Sequence, residues 1–539
     1  MDNLQTSDVT VNVEIENYLK QKISLDESTI LDINIHESIN DNTTHGDITL
    51  LDIGGFEERI PIIGQERINI NFSSKSNKLE EQRKHFIVYN MSAKFIDESR
   101  KQAYSLFFVS EEYISNLSNK VARSYKSKFG WEIVTDVYSS YVSNNVRASK
   151  TLFADGEKNL DSAVYRMQLV MAHFRPFECI NLVAKRSVPA RGLGKFLFYE
   201  DKYGHNFKSI ESLLNPKSNV QDMDRVDDNA TEKVVQSGSI ELEENAVVSK
   251  YVLMPANALN EDDNFEQSAE DTIIQNFKFE STFNVIANIV GGMYSSRLMT
   301  YDPVTHRVGS LDNEGATESI EGAELSSRIS NVKTNFYDFD YGVRYQQFTH
   351  VKGRNNPLVS KNHYAMNQPN SCYKFMTTNF ERSQRKQLNV LNVKAKNDAD
   401  IDNQVERWLL PNLSQNRQLK NIVLSIKVAG DHARTVGELV NVNLPSSYFP
   451  GELHKYYSGN YLISELSHKI VDGQYFMDMK LVKDSLSSQL INLEEENLAD
   501  FVTSEQSRLG QVGDYNDNVG QDITTTGPNF QRAYRGGGL

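Results

Sequence analysis

Residues 461–481 constrain the fold of this chain more than any other stretch. Two runs of strand-forming residues flank Asp472-Gly473, a dipeptide that supplies positive φ cheaply to a tight hairpin. After the turn, Tyr475, Met477, Met479 and Leu481 alternate with Phe476, Asp478 and Lys480. Alternation at that period gives a strand one apolar face and one mostly wet face. Ser458-Gly459 leads into the first of the two strands. An ordinary solvent-facing hairpin fits the same residues, so the rest of the chain has to decide what the hairpin belongs to.

At 539 residues the chain is long enough for two to four domains, each with a core of its own. Apolar content of 39% and charged content of 24% place it among globular proteins. Cys179 and Cys372 are its two cysteines, too few for a disulfide framework and without a Cys-x-x-Cys partner. That favours assembly in a reducing cytoplasm over a secreted, stapled protein. The start, Met1-Asp2-Asn3-Leu4, has no basic and apolar leader pattern, and no run of about eighteen apolar residues follows anywhere. The expectation is therefore no membrane segment. A net charge of −15 works against tight binding of nucleic acid, which needs clustered Lys and Arg to displace counterions. The same charge suits a surface that nucleic acid slides past.

The pattern predicts a modular chain, mainly β with α+β insertions. Residues 1–128 read as a first β-barrel with a flanking helix. Leu31, Ile33 and Ile35 alternate with Asp32, Asn34 and His36, and after a polar turn Ile48 and Leu50 alternate with Asp47 and Thr49. Further strands are expected at 67–72, 84–96 and 101–109. Ser110 then reads as an N-cap, with Ile114, Leu117, Val121 and Tyr125 forming one stripe of a helix over 110–126. Residues 129–214 read as an α/β subdomain. It is expected to hold helices at 131–142 and about 160–172, and strands at 179–184 and 195–200. An acidic stretch poor in aromatics, 215–271, reads as a linker.

Strand signal returns at Ile273, with Phe277, Phe279 and Ser281 alternating with Lys278 and Glu280, a turn at 288–292 and a return strand at 293–301. Residues 272–309 together with 420–488 would make a second β-barrel that ends in the hairpin described first. Between its halves, 310–419 reads as an inserted subdomain with an aromatic stretch at 336–348 and a helical stretch at 380–410. Residues 489–539 read as a flexible C-terminal tail. The tail is glycine-rich and basic at its end, and a strap anchored on a partner by Phe530 and Tyr534 is the functional reading of it.

Chemistry-bearing motifs are scarce. Arg191-Gly192-Leu193-Gly194-Lys195 lacks the third glycine and the strand–helix context of a dinucleotide site, and no Gly-x-x-x-x-Gly-Lys-Ser/Thr run exists. His36 and His45 flank a turn but read as surface polar residues. His350, His363 and Cys372 have no metal-site spacing. No Gly-x-Ser-x-Gly elbow occurs, and the many carboxylates read as ordinary charged surface. The expectation is no catalytic residue, no metal and no cofactor.

Three segments carry a family resemblance. They are the hairpin within 88–109 running into the helix at 110–126; Phe196-Leu197-Phe198-Tyr199-Glu200 followed by Gly204-His205-x-Phe207-Lys208-Ser209-Ile210-Glu211-Ser212-Leu213; and the hairpin at 461–481. In arrangement, residues 10–485 resemble the baseplate central hub of T-even-type contractile-tailed bacteriophages and the hub half of VgrG-type spike proteins. The resemblance implies two tail-tube-like antiparallel β-barrel modules, each elaborated by an extra subdomain. It also implies a homotrimer whose six barrels adapt a sixfold tail tube to a threefold central spike, with a channel that DNA crosses without specific binding. The implied partners are other copies of the chain, the tail tube protein, the spike protein and other baseplate proteins. The implied location is the tail of the virion, assembled in the host cytoplasm. The long linker, the large insertion and the glycine-rich tail depart from the shorter family members. Two alternatives stand beside it: a peripheral baseplate or receptor-binding component, and, less favoured, a tail-associated peptidoglycan hydrolase, for which no stretch of the sequence offers the active site it would need.

Overall fold

The computed structural model describes most of residues 7–213, the segments 249–253, 272–290, 296–302, 307–311, 317–319 and 372–377, and most of 409–486. The strands in chain order begin with β1 (Ser7–Glu16), β2 (Lys22–Leu25), β3 (Ile30–Ser38), β4 (His45–Asp52), β5 (Arg67–Ser74), β6 (Gln82–Ile96) and β7 (Gln102–Ser110). Helix α1 (Glu111–Ser118) follows, then β8 (Val121–Lys128), α2 (Gly130–Val137), β9 (Thr151–Phe153), β10 (Met167–Phe174), α3 (Pro176–Arg186), β11 (Phe196–Glu200), β12 (Gly204–Ser209) and α4 (Ile210–Leu213). The second half holds β13 (Ser249–Val252), β14 (Thr272–Ser281), α5 (Val285–Val290), β15 (Ser296–Asp302), β16 (Arg307–Leu311), β17 (Thr317–Ser319) and β18 (Cys372–Thr377). The last strands are β19 (Ile422–Ala429), β20 (Leu439–Asn443), β21 (Gly459–Val471) and β22 (Gln474–Lys483).

Two closed circuits of hydrogen-bonded strands make up the main body, and they share one hairpin. The first runs β1–β5–β6–β7–β4–β3–β21–β22 and returns to β1. The second runs β22–β19–β14–β13–β20–β21 and returns to β22. The β21–β22 hairpin, expected in the second barrel, closes both. Its two-residue turn pairs Val471 with Gln474, and Gly473 sits there at φ +75°, a conformation that favours glycine. Along its outer edge β21 gives Gly459–Leu462 to β20 and Glu465–Val471 to β3, whereas β22 gives its first two residues to β1 and the rest to β19. Closure removes the exposed strand edges that would otherwise template aggregation.

Alternation builds the core. Val13 and Ile15, Ile33 and Ile35, Ile48 and Leu50, Ile68 and Ile70, Leu106 and Phe108 all point inward, and so do Tyr475, Met477, Met479 and Leu481. One continuous cluster spans both circuits. Each fully buried aliphatic or aromatic side chain contributes about 1.5–3 kcal/mol relative to exposure.

A second core belongs to the α/β subdomain, where Ile133, Val134 and Val137 of α2 and Cys179, Ile180 and Val183 of α3 pack with Met167, Leu169 and Met171 of β10. Several of its elements differ from the expectation. The helix foreseen over 110–126 stops at Ser118, because Asn119 is extended and its side-chain amide donates to the carbonyls of Ser115 and Tyr141 at 3.0 and 2.8 Å. The chain continues as strand β8, which pairs with β10. Met167, Leu169 and Met171 alternate inward at a period of two, so the methionines foreseen on a helix lie on a strand; residues 160–165 lie outside the described residues. Residues 179–184, foreseen as a strand, belong to α3. Pro176 opens that helix, Glu178 accepts from Arg175 N at 2.8 Å, and Lys185 and Arg186 occupy the last turn.

In the second half, Ser249–Val252, within the stretch read as linker, is strand β13 and completes the second circuit. The turn foreseen at 288–292 is overlapped by α5, whose start Asn284 caps by accepting from Ala287 N at 2.9 Å. The return strand then leaves the barrel: β15 pairs with β16 and β18 in a separate sheet, β17–β16–β15–β18. The aromatic stretch 336–348 and residues 380–408 of the helical stretch lie outside the described residues, as does the tail from 489.

Candidate assembly site at the shared hairpin

The polar groups of the interior meet where the hairpin joins the two circuits. Three strands each place a charged or titratable residue at an inward position: Glu37 after Ile33 and Ile35, Lys84 before Phe86 and Val88, His468 between Leu466 and Ile470. Lys84 Nζ ion-pairs with Glu37 Oε1, and Thr435 Oγ1, in the loop between β19 and β20, donates to Glu37 Oε2 at 2.7 Å. His468 Nδ1 and the Tyr475 hydroxyl lie 2.8 Å apart across the hairpin. Burial pushes the Glu37 carboxyl up, but the charge of Lys84 and the hydrogen bonds from Lys84 and Thr435 overcome it and hold the carboxyl below its ordinary value. Burial drives His468 down to about 4, so its imidazole is neutral at neutral pH.

A second buried cluster fastens the first circuit to the α/β subdomain. Glu200 ends the apolar run of β11. Its Oε2 accepts from Thr44 N at 2.9 Å, and its Oε1 accepts from Ser110 Oγ at 3.0 Å and from Lys150 Nζ. Lys150 also ion-pairs with Glu112 at 3.6 Å. Tyr138 OH donates to Lys150 O at 3.0 Å and lies 3.1 Å from His205 Nδ1. Burial raises the Glu200 carboxyl, but Lys150 above all outweighs it and brings the carboxyl down to about 2. The two clusters connect through Thr435, whose Oγ1 accepts from Lys202 N at 3.2 Å, and through Lys202 Nζ, which donates to Ala433 O. Helix α1 serves this junction with its polar face: Glu111 pairs with Arg67, Ser115 donates to Val142 O at 2.9 Å, and Asn116 accepts from Phe177 N at 2.8 Å.

On the outside of the hairpin lies an open groove of about 470 Å³ lined by His36, Phe277, Glu280, Lys427, Glu465 and Lys480 among others. Its charges are matched: Lys480 reaches Glu280 and Glu465, each at 3.5 Å, and Lys469 reaches Asp478 at 2.7 Å beside it. These networks suit a rigid, registered scaffold, since fully satisfied buried polar groups specify one arrangement of the elements that carry them.

Phe530 and Tyr534, the anchors foreseen in the tail, lie outside the described residues, as do His350 and His363. His36 and His45 do meet, as ring neighbours 5.0 Å apart across β3 and β4. Among the described residues no group of three or more His, Cys, Asp or Glu is placed to hold a metal ion. Cys179 is a buried free thiol on α3, pushed up to about 11 by burial. Glu37, Lys84, Lys150, Glu200 and His468 were not singled out from the sequence. A charged or titratable residue at an inward place in an alternating run was the signal available for Glu37, Lys84 and His468.

No protein-family model and no curated protein matches the chain. Solved structures with a similar path include the 43 kDa tail protein of prophage MuSo2 from Shewanella oneidensis. That match has 9% identity and a TM-score of 0.43, over 88% of this chain and 100% of that one. A tail protein from Neisseria meningitidis MC58 is 7% identical over 88% of this chain and 97% of its own, at a TM-score of 0.44. A third is the E. coli c3393 protein, a component of the type VI secretion system described as similar to the T4 bacteriophage tail proteins gp27 and gp5. It is 9% identical over 86% of this chain and 76% of its own, at a TM-score of 0.36.

Proposed function

We propose that this chain is a structural protein of a contractile tail. In that reading it is a trimeric baseplate hub that adapts the sixfold tail tube to the threefold central spike and forms part of the DNA-ejection channel. The observation that supports it most is the pair of closed strand circuits joined through one hairpin. Two barrels per chain let three chains present six, which is what a trimer needs in order to meet a sixfold partner. Three copies at −15 each carry −45, a charge that repels DNA in transit. The buried Glu37–Lys84 and Glu200–Lys150 pairs fix the circuits and the subdomain in one register, as a part that transmits load requires. The tail, through Phe530 and Tyr534, would engage the spike.

The test is the mass of the purified chain by light scattering, alone and with its spike protein. A species of about three times 61.3 kDa, or a 3:3 complex on adding spike, supports the hub. A monomer indifferent to the spike overturns it and favours a peripheral baseplate component. A chain ending at residue 489 is expected to keep its own assembly and lose spike binding.

A further inference from the structure

One pair of side chains outside the buried clusters is spaced as a set of metal ligands. His36 on β3 and His45 on β4 stand directly opposite each other in the antiparallel ladder, and their rings lie 5.0 Å apart at an angle of 60°. Residues directly opposite in a sheet have Cβ atoms about 4.5–5.5 Å apart, so the two imidazoles face the same small volume. That volume is open to solvent. His45 is exposed, and half-buried His36 lines the groove on the outside of the hairpin.

A third strand orients the first of the two rings. Ser467 is the residue opposite His36 on β21, and its Oγ lies 2.9 Å from His36 Nδ1. In the tautomer that donates Nδ1–H to this hydroxyl, Nε2 carries the lone pair. Histidines that bind metals are held in this way, with one nitrogen on a supporting group and the other on the ion. The spacing agrees: a tetrahedral ion at about 2.0–2.1 Å from two imidazole nitrogens sets the ring centres about 5 Å apart. Of the carboxylates that act on His36, Glu37 and Glu465 are paired with Lys84 and Lys480, whereas Asp41 has no ion pair among the described residues. Asp41 therefore leaves the local field favourable to a cation. Among the described residues no further His, Cys, Asp or Glu makes the pair a group of three.

We propose that His36 and His45 form a surface site for a divalent transition-metal ion of the zinc class. Nε2 of His36 and a ring nitrogen of His45 are the protein ligands, and water fills the remaining positions. Imidazole suits zinc, copper and nickel, whereas calcium and magnesium require oxygen ligands. The placement has a structural consequence. Residues 39–44, between the two histidines, form the loop that meets the α/β subdomain: Asn42 Nδ2 donates to Phe198 O at 2.8 Å, and Thr44 N donates to Glu200 Oε2 at 2.9 Å. An ion bridging β3 and β4 closes the base of that loop. Because both ligands are brought together only by the folded ladder, the ion stabilises the folded chain. The site stands whether or not the chain is a hub.

The experiment titrates zinc chloride into the full chain, first stripped with a chelator, by isothermal calorimetry. His36→Gln, His45→Gln and Ser467→Ala are compared with wild type, and thermal melting without metal verifies that each is folded. The expected result is one saturable zinc ion per wild-type chain. Either histidine variant should lose that ion, and Ser467→Ala should weaken its binding by about tenfold. Zinc should raise the melting temperature of wild type and not of the histidine variants. Modification of the wild-type chain with diethyl pyrocarbonate, read by peptide mass spectrometry, supplies a test free of substitutions: zinc should protect His36 and His45 together. A wild type that takes up no zinc at millimolar ion overturns the site, and so does a histidine variant that binds as wild type does. Protection of one histidine without the other would also overturn it. Calcium binding that both histidine variants retain, with no zinc bound, would assign the cation to the carboxylates and refute the imidazole pair.

Discussion

His468 shows how much of this protein's behaviour is decided by single buried groups. It sits inside the wall with Tyr475 on Nδ1, and Glu37, Lys84, Asp431 and Lys202 are the charges that act on it. Its ordinary value of 6.5 falls to about 4, chiefly through burial. The unfolded chain therefore takes up the proton first as pH drops. The stability tied to the neutral ring is complete above about pH 6.5 and is lost as pH falls toward 4, about 2 kcal/mol of it between pH 7 and pH 5. His468→Gln is expected to flatten that part of the stability curve, read from urea midpoints at the two pH values; an unchanged slope would refute the assignment. Glu37 and Lys84 make a separate prediction. Lys84→Met strands a buried carboxylate and should cost about 3–5 kcal/mol, whereas Lys84→Met combined with Glu37→Leu should recover most of the loss. A double-mutant cycle in urea checks it, and additive losses would rule it out. These residues were legible in principle, since a glutamate two places after Ile35 interrupts the apolar face that Ile33 and Ile35 begin. What the sequence does not carry is that Lys84, 47 positions away, is the answering charge.

Among the elements, those with long alternation were readable and those at the junctions were not. β3, β4, β19 and β22 repeat inward and outward residues for a full strand, and no competing period fits them. The segment after Ser118 could be read at either period, because Val121 and Tyr125 are four apart and lie on one side of a helix or of a strand alike. Pairing with β10, a tertiary event, settles it. Glycine roles split in the same way. Gly473 was evident from its turn, and a side chain there meets nothing within 4 Å, so Gly473→Ala should cost only its backbone strain, about 1–2 kcal/mol. Gly430 was not evident: it follows β19, and a Cβ on it would stand 2.2 Å from the Tyr475 ring. Gly430→Ala is expected to cost about 1–3 kcal/mol by displacing that ring from the shared hairpin. The contrast is readable by near-ultraviolet circular dichroism, where the Gly430 variant should change the tyrosine signal and the Gly473 variant should not.

For the whole molecule, the decisive fact is that one hairpin closes both circuits, and no local pattern can announce it. Alternation says that β21 and β22 each have an inward face; it does not say that β21 changes partner from β20 to β3 part-way along its edge. The join between the circuits and the α/β subdomain is equally non-local, since Thr44, Ser110, Lys150 and Glu200 come from four separate segments. That join makes a prediction about cooperativity. Glu200, held down to about 2, contributes stability that is complete above about pH 4.5 and is lost as pH falls toward 2. Lys150→Met removes the largest of the influences that hold it there and leaves Glu200 and Glu112 buried side by side without their cation. Glu200 should then keep its proton at higher pH, and the acid transition should begin at higher pH than in wild type. Because Lys150 bridges the two cores rather than sitting within either, the loss should fall on their coupling. Native-state hydrogen exchange of the variant should show amides of β8, β10 and α3 opening at a lower free energy than those of β3, β4 and β21, where wild type opens them together. Joint loss of protection in the variant would mean that packing, and not the buried charges, holds the subdomain to the barrel.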